Sequence, residues 1–339
     1  MKLGIGRYQR YRKHRNSKIQ YYLSGCFKYV IPNFLNRWRK QHILNQFHTL
    51  DTATQLQIKD RVAYYNKLQE TFFFSEKQVN DNPEPITLSR IKPGAMINGR
   101  HANSAYLLDT HEYTRYFNPR NKAAFLFGDI THVPDIPAFV KSRPIGNHNA
   151  CSVILPLDRI RHFTFVKDNR DFNSKKDKLI GRAYITQPHR RKFWEMYFNH
   201  PLCDLGTINT GETGHPEWIV PPLPIEDHLD YKFILCLEGN DVASNLKWVM
   251  SSNSLAVMPS PRYETWFMEG QLIPNVHYVE IKPDYSDLEE RLNYYIGHSR
   301  QAMEIIQNAH AYVSRFRNPS IEKITGLMVV EKYLSLVSL

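Results

Sequence analysis

The stretch that most restricts what this chain can fold into is Tyr231–Pro283, YKFILCLEGNDVASNLKWVMSSNSLAVMPSPRYETWFMEGQLIPNVHYVEIKP. Three short apolar runs, Phe233–Leu237, Leu255–Met258 and His277–Ile281, have the length and composition of buried strands. The residues between them predict two helices, about Ser244–Ser252 and about Tyr263–Gly270. Strand–helix–strand–helix–strand points to a parallel, right-handed α/β sheet. The first connection carries Glu238-Gly239-Asn240-Asp241, at a strand's carboxyl end and just before a helix, where open α/β sheets place ligands. Free N–H groups and the helix dipole favour an anion there, so a phosphate-bearing ligand is expected at Gly239–Asn245. The same loop also reads as a plain βα turn, and its shape alone does not separate the two.

At 339 residues the chain is long enough for about two domains. Apolar residues make up 42% and aromatics 13%, enough to bury a core. The net charge of +11 bears on partners: nucleic acid, an anionic membrane surface and phosphorylated substrates all fit it. Cys26, Cys151, Cys203 and Cys236 show no CxxC spacing, which excludes an obvious zinc site or disulfide framework. Cys151 and Cys236 lie in apolar runs and read as inert core thiols. No run reaches the apolar length of a membrane span, and the basic start has no signal-peptide core, so a cytosolic location is expected.

Residues 1–47 are dense in Arg, Lys and Tyr. Phe27, Val30, Ile31, Phe34, Leu35 and Trp38 recur at helical spacing, with Pro32 interrupting and Arg37, Arg39 and Lys40 close by. Such a basic amphipathic segment can lie on an anionic membrane, dock on its own core, or serve as a nucleic-acid arm. Residues 52–70 predict a helix, Asn80–Pro85 a loop, and Ile86–Ile91 a short run ended by Lys92-Pro93-Gly94. Strand candidates follow at Val140–Pro144, Val153–Leu157, His162–Val166 and Leu179–Arg182, then a helix at Pro188–His200 and a loop-rich stretch from Gly206 to Pro224. Ser286-Asp287-Leu288-Glu289 reads as a capping box, and two further helices follow, about Arg300–Phe316 and Ser320–Leu336.

Several chemistries lack their motifs. Neither Asp-x-Asp nor HExxH nor a Cys/His cluster is present, so metal-dependent chemistry is disfavoured. His162 and His277, alone on apolar runs, read as structural. There is no GxSxG, no GxGxxG and no P-loop. Asp129 follows the buried run Ala123–Phe127 through Gly128; it reads either as a general base facing a cleft or as a turn residue. Anion-binding candidates are Lys141 and Arg143 beside Pro144, Arg182, Arg190 with Arg191, and Lys247. The last three sit in first turns of predicted helices, where the dipole disfavours cations unless an anion is near.

The order of these pieces resembles glycosyltransferase family 90, in particular its bacterial lipopolysaccharide A glycosyltransferase branch, related to the Rumi-type protein O-glucosyltransferases. FGDIT, KSRPI, SVILPLDRIRHFTFVKD, KKDKLIGRA, LEGNDVASNLKWVMSSNSLAVM and YETWFMEGQLIPNVHYVEI carry the resemblance, over about Phe125–Ile281. It implies a GT-B fold, two Rossmann-like α/β domains facing across a cleft, and an inverting, metal-free transfer of a hexose from a UDP-sugar. It implies Asp129 as catalytic base, with Gly239, Asn240, Asp241, Val242, Ala243 and Ser244 on the donor. Arg182, in Gly181-Arg182-Ala183, Arg190, Lys247 and Glu264 join them as donor contacts, and Lys141 and Arg143 are expected on acceptor or phosphate. Many family members read Ser-Arg-Leu-Lys where this chain has Ser244-Asn245-Leu246-Lys247, so Lys247, Arg182 or Arg190 is expected to replace the missing Arg. The expected organisation is a basic segment 1–50, an acceptor-side domain 51–172 and a nucleotide-sugar domain 173–317, with helix 318–339 packing back on the acceptor side. The expected acceptor is the lipopolysaccharide inner core, reached from the cytoplasmic face of the inner membrane, with an anionic membrane surface as partner. No nucleic-acid partner and no cofactor is expected; a nucleic-acid-binding protein and an inactive sugar- or lipid-binding scaffold are the alternatives.

Overall fold

The computed structural model describes residues 13–74, 83–209 and 214–338. The beginning of the basic segment, part of the Asn80–Pro85 loop and Gly211 lie outside them. The chain divides into two compact units. One takes Ser17–Ile160, Arg262–Gly270 and Phe316–Leu339; the other takes Arg161–Pro261 and Gln271–Arg315 with the segment ending at Asn16.

In the first unit a four-stranded sheet runs in the order Ile86–Thr87, Lys122–Leu126, Ala138–Val140, Ser152–Ile154. The last three strands are parallel and the Ile86–Thr87 edge is antiparallel. Ala123, Phe125, Phe139, Val140, Val153 and Ile154 are fully buried, as expected for parallel strands covered on both faces. The helix Pro319–Leu336 packs on Thr52–Tyr65 and Ser104–Thr114. Tyr333 fastens it to the sheet: its hydroxyl donates to the Pro137 carbonyl (2.7 Å) and accepts from the Ala124 N–H (3.1 Å). Val140–Pro144, expected as one strand, is split at Lys141; Ser142–Pro144 pairs antiparallel with Tyr263–Thr265 instead.

That pairing corrects the helix expected over Tyr263–Gly270. The segment is a strand followed by a turn and the short 3-10 helix Glu269–Gln271. Glu269 accepts from the Thr265 N–H (2.6 Å), which closes the turn.

In the second unit five parallel strands take the order Cys203–Thr207, Lys176–Ala183, Tyr231–Leu235, Leu255–Met258, Val279–Glu280. Numbered along the chain this is 2-1-3-4-5, a doubly-wound order. The three strands expected from Tyr231–Pro283 are present, Leu255–Met258 with the expected bounds. Cys203–Thr207 falls in a stretch not read as a strand, because Asp204 and Gly206 interrupt its apolar pattern. His162–Val166 is not a strand: Arg159–His162 is a short helical turn, and the Val166 N–H donates to the Ser251 hydroxyl (2.9 Å). Nor does the expected capping box form. Asp287 precedes helix Leu288–Gly297 and spends its carboxylate on the Lys282 N–H (2.8 Å), while the Ser286 hydroxyl bonds Asp284. One apolar cluster, including Phe193, Trp194, Phe233, Val257, Leu288 and Ile305, fills this unit's core.

Gly326 tests how tightly the last helix sits. A Cβ there would come within 2.2 Å of the Tyr113 ring. Gly326→Ala gains about 1 kcal/mol of helix propensity but forces a rigid aromatic ring aside, which typically costs about 1–3 kcal/mol. Lower stability is expected in urea unfolding followed by circular dichroism; an unchanged or higher midpoint would contradict this packing.

Candidate active site

In a doubly-wound sheet of order 2-1-3-4-5, ligands bind outside the carboxyl ends of strands 1 and 3, where the winding reverses. Here those ends are Ala183 and Leu235. The first leads through Tyr184–Gln187 into helix Pro188–Tyr197; the second leads into Cys236–Asn240. Arg190, in the first turn of that helix, spans the two loops. It donates from Nε to the Glu238 carbonyl (2.8 Å), from Nη2 to Leu237 (2.9 Å) and from Nη1 to Tyr184 (2.8 Å). His189 Nε2 donates to the same Glu238 carbonyl (2.9 Å), and Gln187 donates to the Asn240 side chain (2.7 Å). Burial lowers the Arg190 pKa from its ordinary value, and no carboxylate among the described residues pairs with this guanidinium. It also carries more N–H donors than these three bonds use. A desolvated cation at a switch point is suited to a ligand's negative charge.

The other expected donor residues sit differently. Arg182 is paired with Asp204 (Nη2 to Oδ1, 2.6 Å) and donates to the Asp204 carbonyl (2.7 Å), so a carboxylate already balances it. Asp241, Val242 and Ala243 are buried, whereas Asn240 and Ser244 are exposed and Glu238 and Gly239 partly so. Helix Leu246–Met250 has only five residues, too short for much of a dipole. Lys247 is fully buried beneath it, its ammonium 5.9 Å from the Phe163 ring. Asn245 donates to the Leu235 carbonyl (2.9 Å), pinning the loop to the strand end.

In the other unit Asp129 lies just past the strand Lys122–Leu126, after Gly128, whose φ of +126° suits glycine. The Ser142 hydroxyl secures the next residue, accepting from the Ile130 N–H and donating to its carbonyl (both 3.1 Å). Asp129 forms an ion pair with Lys141, which is buried, while the Asp129 side chain remains 27% exposed. A half-open carboxylate with an ammonium beside it can still meet a hydroxyl. Arg143, two residues on, faces inward. It pairs with Glu264 (2.7 Å) and donates to the carbonyls of Tyr64 (2.7 Å) and Ser152 (2.9 Å). Glu264 is buried and also accepts from the Tyr64 hydroxyl. Both were expected on a ligand; here each is spent holding strand Tyr263–Thr265 against Ser142–Pro144.

Residues 207–329 match the family described as glycosyl transferase family 90. The chain is 38% identical over 320 residues to the O-glucosyltransferase LpsA of Dichelobacter nodosus, covering 94% of this chain and 96% of that protein. It is also 28% identical over 172 residues to the uncharacterized protein 179R of Invertebrate iridescent virus 6, covering 47% of this chain and 14% of that one. With its mixed α/β units and parallel sheets, the protein is a glycosyltransferase of Rossmann-like construction. It belongs to glycosyltransferase family 90, in the branch of LpsA. The family match takes in Glu238–Ser244, Lys247 and Glu264, and leaves Asp129, Lys141, Arg143, Arg182 and Arg190 to its N-terminal side. Sequence reasoning missed His189, Gln187 and the Tyr184 carbonyl; an Arg one residue after a His in a helix's first turn was the available signal.

Because Glu264 is buried against Arg143, Glu264→Ala strands a cation and is expected to cost about 3–5 kcal/mol of stability. Thermal and urea unfolding check this. Unchanged stability with a selective loss of nucleotide affinity would return Glu264 to the ligand.

Proposed function

We propose that the protein is an inverting, metal-independent transferase that moves glucose from UDP-glucose to a sugar of the lipopolysaccharide inner core. The observation that carries this is the 38% identity, across nearly the whole of both chains, to a protein named as an O-glucosyltransferase and as LpsA. In this reading the two units are the two Rossmann-like domains of a GT-B enzyme. The acceptor is lipid-anchored and phosphorylated, and the enzyme works at the cytoplasmic face of the inner membrane. The metal-free mechanism rests on the lack of Asp-x-Asp in the sequence.

The donor's diphosphate lies at the switch point. Arg190 supplies the charge and Glu238–Ser244 the backbone N–H groups, so Arg190 takes over from the family Arg missing at Asn245. Arg190 is preferred to Arg182 and Lys247 because the first has a carboxylate partner and the second is sealed from solvent. The acceptor hydroxyl gives its proton to Asp129. Its oxygen bonds to the anomeric carbon from the face opposite the diphosphate, the carbon–oxygen bond to the β-phosphate breaks, and UDP leaves with the electron pair. Lys141 keeps the Asp129 carboxylate oriented until the proton arrives.

Incubation with UDP-glucose and a truncated lipopolysaccharide core is expected to yield a glycoside of inverted anomeric configuration by NMR, in the presence of EDTA. Retention of configuration, or full dependence on added metal, would sink the mechanism. Asp129→Asn is expected to lower turnover about a hundred- to ten-thousand-fold with UDP affinity nearly intact; near-normal turnover would remove Asp129 as base. Arg190→Ala is expected to weaken UDP about tenfold or more in calorimetry, in line with the loss of a charged hydrogen-bond donor; unchanged affinity would move the diphosphate elsewhere.

A further inference from the structure

The first fifty residues carry the protein's whole excess charge. They hold eleven of its 44 Lys and Arg and none of its 33 Asp and Glu, so the rest of the chain carries 33 of each sign. Two helices of this segment, Lys18–Phe27 and Asn33–Phe47, are described, joined by a 3-10 turn at Lys28–Val30 and broken at Pro32. The first helix and the opening turns of the second are turned inside out relative to an ordinary surface helix. In the first, the inward positions are Gly25, packed on Leu108, and Tyr21 and Tyr29 just beyond, whose hydroxyls donate to the Ala105 (3.2 Å) and Leu107 (3.3 Å) carbonyls. In the second, the inward residues are Phe47 at its end and Asn36, 1% exposed, which accepts from Arg115 (3.1 Å), whereas Trp38 is 72% exposed. Ile19, Leu23, Phe27, Val30, Phe34 and Trp38 all face solvent.

We propose that this outward face docks the enzyme on an anionic lipid surface, with the apolar side chains entering the headgroup region and the surrounding Lys and Arg meeting lipid phosphates. The proposal rests on the membrane-side reading above and deepens it by naming the surface. At 10 and 15 residues the helices are about 15 and 22 Å long, short of the roughly 30 Å hydrocarbon core, so they lie along the interface. Among the described residues no helix is long and apolar enough to cross. Lys18, Arg37 and Arg39 are exposed on the same two helices, and Trp and Phe beside Lys and Arg suit the interface. A second copy of the chain fits less well, because a two-fold contact through this patch would bring two faces of the same strong positive charge together. A nucleic-acid backbone would reward the cations but offers nothing to six large apolar side chains.

The test uses the full chain in flotation with vesicles of phosphatidylcholine alone or with added phosphatidylglycerol, with no nucleotide present. Binding is expected only to the anionic vesicles, weakening as salt shortens the Debye length. The double variant Phe34→Glu/Trp38→Glu is expected to lower the partition coefficient about tenfold or more. Its circular dichroism and UDP affinity should match wild type, since both side chains are exposed. Trp38→Phe should keep binding and lose the vesicle-induced blue shift in fluorescence. Absence of binding to anionic vesicles, or wild-type binding by the double variant, would overturn the proposal. So would a lipid-free dimer in light scattering that the double variant dissolves. Vesicle binding by a protein with no affinity for UDP would instead count against the proposed function and leave this surface standing.

Discussion

A parallel sheet buried on both faces has little room for polar groups away from its strand ends, and that constraint arranges much of this protein. Phe233, Ile234, Val257, Leu179 and Ile180 leave no polar side chain in the middle of the five-stranded sheet. Polar groups are therefore gathered where strands Lys176–Ala183 and Tyr231–Leu235 finish. There the carbonyls of Tyr184, Leu237 and Glu238 would be partly orphaned, and Arg190 satisfies all three with one rigid fork. The same guanidinium that closes the loop is thus the cation left facing the switch point. In the proposed reading, structure and ligand recognition draw on one side chain, and a lysine, with a point charge instead of a fork, could not serve both.

Much of this was legible in the sequence. The three apolar runs in Tyr231–Pro283 became strands, and the loop after the first lies at the switch point. What was hidden was the strand order, because it turns on Cys203–Thr207, whose Asp204 and Gly206 erase the apolar run. Without that strand there is no reversal of winding, and nothing singles out Arg190 over Arg182 or Arg191. Asp204 also hid its own effect, since the pairing that neutralises Arg182 joins residues 22 apart on neighbouring strands.

The mistaken helix at Tyr263–Gly270 has a different origin. Tyr263, Glu264 and Thr265 become a strand only because Ser142–Pro144 offers them an edge, and Arg143 offers Glu264 a buried partner. Pairings made across more than a hundred residues leave no local trace, and a glutamate on an apolar segment reads as a helix-surface residue or a ligand contact until its partner is known. After Pro261 the chain leaves the five-stranded unit and returns at Gln271, having left its intervening residues in the other unit. A short excursion, Arg262–Gly270, that supplies a strand elsewhere explains why this stretch is not a helix.

The N-terminal helices show the limit of periodicity most clearly. A 3.6-residue apolar repeat says that a helix has an apolar face, and leaves open whether that face points in or out. The answer lies in the small and polar residues between the repeats. Gly25 lets the first helix approach Leu108 so closely that a Cβ would stand 2.9 Å from it, and Asn36 is buried where it can accept from Arg115. Once those two positions face inward, 3.6-residue geometry sends Leu23, Phe27, Phe34 and Trp38 outward, and no repacking of their rotamers can reverse it. An apolar face held outward by its polar side, in the longest stretch without an acid, is a feature that solubility alone would select against. Such a face suits an apolar, negatively charged counterpart, and in the proposed docking a lipid interface supplies both properties at once.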